Sequence, residues 1–334
     1  MLFSGLQSKL HDWREHQQIL KLKGISPNQW CLLAASYFKV QIFSNTHIMI
    51  CSDQDEAEDV YEALKHLKNV YFYPGHNHSL YSSIVTSENS LLARWSVLQR
   101  LVNSEELIVV TTWEAALLLG PGPEFFRENS FKVVKDDIIP PLDLANRLSA
   151  LGYFPASTIE EPGTFSRRGE IFDIYPISHA PIRIHYFDDL IEEILGVEIS
   201  TQKTIRDISY HHVPIVPGPG FLMKDPFTTH LRTRIPQPQP KFKNKYESRK
   251  QIFQKINEGQ LFENYPLFIP LLFDHPKTLI DFLPADATLG FFNSDNAQKN
   301  FELFLAQQTE DYNDLIDDVE SNSILPSPDY FYLK

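Results

Sequence analysis

The run Ile182-Arg183-Ile184-His185-Tyr186-Phe187 constrains the fold more than any other part of this chain. Apolar residues occupy every second position, and in a strand successive side chains point to opposite faces. Ile182, Ile184 and Tyr186 therefore share one face, and Arg183, His185 and Phe187 share the other. The first face reads as core. The second sets an arginine beside an aromatic ring, the residue types that dominate binding hot spots. It reads as a docking surface before it reads as an active site.

The surroundings extend this pattern. A helix is predicted over 142–151, followed by strand-like runs at 170–175, 182–187, 191–199 and 208–215. Short strands separated by turn residues indicate a small α+β domain with an antiparallel sheet. Upstream, the apolar strands at 46–51, 70–73 and 107–111 alternate with helices at 53–65, 90–102 and 113–119. That order indicates a parallel sheet flanked by helices. The first residues, with Leu2, Leu6, Leu10 and Trp13 at helical spacing, predict an amphipathic helix. Residues 213–220, rich in proline and glycine, read as a linker. Beyond them, helices are expected at 246–258 and 296–308, and strands at 280–283 and 288–292. The acidic stretch 311–334 is expected to be loosely packed. The reading divides the chain into 1–129, 130–213 and 214–334.

Charge and cysteine content narrow the function classes. There are 43 acidic against 30 basic residues, a net charge of −13. A protein that grips nucleic acid by its phosphates carries a basic face, so the balance argues against nucleic acid as the main partner. Both cysteines, Cys31 and Cys51, sit among apolar neighbours, which predicts no disulfide framework and a reducing compartment. The N-terminal residues carry no secretory signal pattern. The apolar stretch 265–273 is too short to span a bilayer and holds Pro266 and Pro270. A soluble, cytoplasmic chain is expected.

Residues 22–34 hold the remains of a phosphate loop. A working loop needs glycines to wrap the phosphates, a lysine to neutralise them and a hydroxyl for magnesium. Gly24 fits the first glycine, but the later required positions hold Gln29, Trp30 and Cys31. The plain alternative is a turn entering a helix. Both readings predict no ATP hydrolysis. His76 and His78 read as a solvated loop, and His211 and His212 alternate faces, so neither pair predicts a metal site. Asp136-Asp137 and Asp317-Asp318 read as solvated acids. No catalytic arrangement of Ser, His, Asp or Cys stands out, and no cofactor is expected.

Phe72-Tyr73-Pro74 through Tyr81 is an aromatic-proline stretch. Residues 161–176, including Arg168, Gly169 and Asp173, make one long motif, and residues 181–189 and Thr201-Gln202-Lys203-Thr204 make two more after it. In this order the motifs resemble those of the N-terminal, UvrB-homologous module of the bacterial transcription-repair coupling factor family, Mfd. The resemblance implies a degenerate P-loop helicase-like α/β domain, interrupted by an inserted α+β domain near 130–213 and completed by the return segment. It implies a non-catalytic recruitment module for nucleotide excision repair, binding the damage-recognition ATPase UvrA. The UvrA-contacting positions carry over to Arg168, Arg183 and Phe187, with Asp188-Asp189 as the charged pair that follows. Arg167 departs from the family pattern, where a small or apolar residue is common. RNA polymerase and DNA would be contacted by other domains of such a parent protein. The alternative is a UvrB-like nucleotide hydrolase, against which Trp30 and Cys31 speak.

Overall fold

The computed structural model describes residues 46–76, 79–81, 88–238, 241–292, 294–318, 321 and 323–332. The amphipathic helix expected at the N-terminus lies outside them, as do Gly24, Gln29, Trp30 and Cys31.

The first body of the protein is built on continuous apolar runs. β1 (His47–Cys51) and β3 (Ile108–Thr112) are buried along almost their whole length, as expected of strands covered on both faces. They pair in parallel, Ile48 opposite Val109, and β2 (Val70–Tyr73) pairs in parallel with β3 on the other side. Helix α1 (Gln54–Leu64) starts where the Asp53 carboxylate accepts a 2.9 Å hydrogen bond from the Glu56 amide. It lays Ala57, Val60 and Leu64 on the sheet at helical spacing. Helix α2 (Glu88–Val102) lies between β2 and β3 in sequence. Helix α3 (Trp113–Ala116) is capped by the Thr112 hydroxyl and is shorter than its sequence suggests. Beyond it the backbone turns to other partners: the Leu119 amide donates to the Phe331 carbonyl at 2.8 Å, and Gly120 and Lys277 exchange two bonds.

Helix α4 (Pro123–Asn129) then places Phe125 and Phe126 edge-on to Trp95. β4 (Phe131–Val134) leads to α5 (Pro141–Ala150) and six strands: β5 (Phe154–Pro155), β6 (Thr164–Arg168), β7 (Ile171–Tyr175), β8 (Ile182–Phe187), β9 (Leu190–Glu198) and β10 (Lys203–Ser209). These form one sheet in the order β10-β9-β8-β7-β6-β5, antiparallel except between β5 and β6. β11 (His212–Ile215) returns antiparallel to β4, His212 opposite Val134 and Ile215 opposite Phe131. The run expected at 208–215 is thus divided between two strands in different sheets. The residues read as a linker are packed: Val213, Ile215 and Val216 are fully buried. Pro214 is tolerated because a two-stranded ribbon leaves one edge of β11 without a ladder to break.

Further along come α6 (Phe227–Arg234), α7 (Lys243–Asn257), β12 (Thr288–Phe291) and α8 (Ser294–Asp317), with 3-10 segments at Pro219–Met223, Tyr265–Leu272, Leu279–Phe282 and Pro328–Tyr330. β12 pairs in parallel with β1, so that the described residues form a four-stranded sheet in the order β12-β1-β3-β2. The fold is therefore mixed α/β, with one parallel sheet and antiparallel sheets beside it. Two readings are corrected here. Leu279–Phe282 is a 3-10 turn rather than a strand, because Thr278 and Asp281 cap each other's backbone amides. The described residues of the acidic end are packed in part: α8 continues through Asp317, and Ile324, Leu325, Phe331 and Tyr332 are buried. Tyr332 packs edge-on against Phe301 and Phe304, and the Tyr81 hydroxyl donates to the Pro326 carbonyl at 2.7 Å. Among the described residues, no helix is long and apolar enough to cross a membrane.

Candidate docking surface

Register decides which side chains meet on the six-stranded sheet. One face carries the cross-strand rows Phe165–Ile174–Ile182 and Phe172–Ile184–Ile194, and these residues are the core. The other face carries Ser166–Asp173–Arg183–Leu195, then Arg168–Ile171–His185–Glu193, then Phe187–Leu190. A bulge on β9 at Glu192 keeps this pattern, since a one-residue slip would send Leu190 to the core side.

Asp173 organises the second face. It is 1% exposed and stands in register with Arg183. The Arg183 guanidinium donates from Nε to Oδ1 at 2.7 Å and from Nη2 to Oδ2 at 2.8 Å. Arg168 donates from Nη2 to the same Oδ2 at 3.0 Å. Arg183 also donates to the Thr204 hydroxyl at 3.0 Å and to the Gln202 carbonyl at 3.2 Å. A buried carboxylate without partners would cost several kcal/mol, on the order of 3–5 when one member of such a pair is removed. Two guanidiniums offset that cost here. The hydrogen bonds to Asp173 push the Arg183 pKa up further.

The two arginines are not equivalent. Arg183 is buried, and four of its five N–H groups are engaged within the protein. The expectation of an exposed Arg183 beside Phe187 is corrected accordingly. The cause is the carboxylate opposite it, and the cover formed where Ser166 donates to the Ser157 carbonyl and Gln202 to the Ile159 carbonyl, both at 2.9 Å. The far end of the same face stays open. The Arg168 side chain is half exposed and Phe187 is 65% exposed. Alternation along β6 gives Arg168 the face of Asp173 and Phe187, and gives Arg167 the opposite one.

Tight turns fix both open residues. Arg168 pairs with Ile171 across a two-residue turn at Gly169, whose φ of +62° suits glycine. Nothing lies within 4 Å of a Cβ built there, so the glycine is needed for its backbone and not for space. Phe187 pairs with Leu190 across Asp188-Asp189, with Asp188 at φ 53°, a conformation aspartate tolerates.

The sequence signals missed for this site are Asp173, Gln202 and Thr204. An acid between Phe172 and Ile174 in a central strand has to find a cation. The 161–176 signature, the 181–189 run and the 201–204 motif thus converge on one ion-paired network.

The other candidates do not assemble. Among the described residues, no group of three or more His, Cys, Asp or Glu side chains could hold a metal ion. His76 is half-buried rather than solvated, and burial, aided by Arg94, lowers its pKa to about 3. His78 lies outside the described residues. His211 and His212 are exposed, with ring centroids 6.3 Å apart. Asp136 and Asp137 are exposed.

Residues 131–221 match the family described as the UvrB interaction domain. The chain is similar to the transcription-repair-coupling factor of Bacillus subtilis, 26% identical over 86% of this chain and 25% of that protein. It is also similar to those of Haemophilus influenzae, 25% identical over 80% of this chain and 23% of the relative, and Staphylococcus haemolyticus, 26% identical over 91% and 26%. The chain spans about a quarter of the length of these curated relatives. Its resemblance is to their UvrB-homology module.

Proposed function

We propose that this chain, similar to the UvrB-homology module of transcription-repair-coupling factors, is a non-catalytic recruitment module of transcription-coupled nucleotide excision repair. It docks UvrA through the open end of the six-stranded sheet. The parallel sheet then serves as a degenerate P-loop helicase-like scaffold, with the α+β domain inserted into it. Arg168 and Phe187 make the contact, and Arg183 serves from behind by holding the Asp173 carboxylate. RNA polymerase and DNA are contacted by the remaining three-quarters of a full-length parent.

The observation that carries this reading is the Arg168–Asp173–Arg183 network beside an exposed Phe187, inside the segment that matches the UvrB interaction domain. Arginine and aromatic anchors of this kind dominate interface energetics. The test is a pull-down with UvrA using Arg168→Ala together with Phe187→Ala. Capture is expected to be lost while the circular dichroism spectrum is unchanged. Full retention of UvrA by the double variant sinks the assignment. The rival hydrolase reading rests on the parallel sheet, and Gln29, Trp30 and Cys31 oppose it. Calorimetry with ATP separates the two: micromolar binding would revive the hydrolase.

A further inference from the structure

The docking face does not stop at Phe187. The segment before α5 is hydrogen-bonded along the start of β9, with one antiparallel bridge between Ile138 and Leu190. The Asp136 amide donates to the Ile191 carbonyl at 2.8 Å, the Ile191 amide to the Asp137 carbonyl at 2.9 Å, and the Ile139 amide to the Asp189 carbonyl at 2.9 Å. Ile138 is thereby set opposite Leu190, which is itself opposite Phe187. Directly opposed residues of antiparallel strands point to the same face. Ile138, Leu190 and Phe187 thus form one apolar row across the bridged 136–139 segment, β9 and β8, on the face that carries Arg168. Ile138 is 76% exposed and Phe187 65%. Isolated surface apolar residues are ordinary, but a contiguous row of them marks a surface that is covered in use.

The rim of the row is acidic. Asp136, Asp137, Asp188, Asp189 and Glu193 are all exposed around it, while Arg168 is an open cation on the same face. We propose that the docking surface extends from Arg168 through Phe187 to Ile138. It takes a partner surface with a carboxylate at the Arg168 end, an apolar side chain on the row, and lysine or arginine facing the 136–137 and 188–189 acids. This rests on the reading of Arg168 and Phe187 as the UvrA contact, and the occupant is that same partner. The face is continuous, and its charge alternation selects a partner of complementary pattern.

The test measures UvrA affinity of the whole chain by biolayer interferometry, with Ile138→Ser, Phe187→Ala, Arg168→Ala and the pair Asp136→Lys with Asp137→Lys. Ile138→Ser is expected to weaken binding about tenfold, as truncation of an interface anchor does. The lysine pair is expected to slow association and flatten its dependence on salt. Hydrogen exchange on the unaltered chain checks the same point without a substitution: amides 136–139 gain protection when UvrA is added. If Phe187→Ala weakens binding while Ile138→Ser changes it less than twofold and 136–139 gain no protection, the extension is wrong and the Arg168–Phe187 reading stands. If neither Phe187→Ala nor Arg168→Ala weakens binding, both readings fall. Sedimentation of the free chain covers the remaining occupant: a dimer that Ile138→Ser dissociates would overturn the proposal in favour of a second copy.

Discussion

Asp173→Asn tests the site at its centre. The substitution keeps the shape of the side chain and removes its charge. Arg183, buried and bonded to Asp173 at 2.7 and 2.8 Å, then has no counter-ion, and the new amide N–H₂ faces guanidinium donors. Removing one partner of a buried ion pair costs about 3–5 kcal/mol. Arg168→Ala at the same carboxylate is the control. Its side chain is half exposed and its single bond is 3.0 Å long, so its loss is expected to cost about 1 kcal/mol or less. Urea unfolding reads both. With a slope of about 3 kcal/mol per molar, Asp173→Asn moves the midpoint by roughly 1–1.7 M, and Arg168→Ala by about 0.3 M or less. UvrA binding should fall in both variants, in Arg168→Ala with little loss of stability. Equal midpoint shifts for the two, or an Asp173→Asn shift within about 0.3 M of zero, would refute the view that the carboxylate holds a structural arginine behind a functional one.

Two further outcomes follow from the parallel-sheet body. Burial raises the Glu114 carboxyl pKa from 4.5 to about 7, against the hydrogen bond it accepts from the His76 amide. The folded state then keeps a proton that the unfolded state releases, so stability present at low pH is lost as pH rises through that window. Glu114→Gln should remove this slope and gain on the parent by on the order of 2 kcal/mol between pH 5 and 8, read from urea midpoints at each pH. Phe331 is 1% exposed near the end of the chain, and Phe331→Ala should cost about 3–5 kcal/mol in the same assay. A cost near zero would mean that the C-terminal residues do not pack.

Much of this architecture can be read from the chain alone, and the failures share a cause. The parallel strands announce themselves because burial on both faces requires unbroken runs such as Ile108–Thr112. β8 is legible because its alternation is complete. β6 is not, because Thr-Phe-Ser-Arg-Arg offers one apolar residue and draws its place from neighbours on both sides. β10 lies on a sheet edge and is mostly exposed, so it leaves little hydrophobic signal. Strand parity gave Arg183 the right face and the wrong environment. Its burial depends on Asp173, ten residues earlier, and on the Gln202 turn, which only register brings together. The segment holding Ile138 reads only as two solvated acids, and its bridge to Leu190 comes from hydrogen bonds to β9.

The ribbon of β4 and β11 has a consequence for how a docked partner would be held. Chain entry to the six-stranded sheet and exit from it are hydrogen-bonded to each other over four residue pairs. A single connecting strand can swivel about its own backbone bonds, and cargo on such a tether samples many bearings. Two paired strands share one plane and resist that rotation, much as a two-ply stem resists twisting where a thread does not. Whatever binds at the Arg168 end therefore takes its compass heading from the parallel sheet.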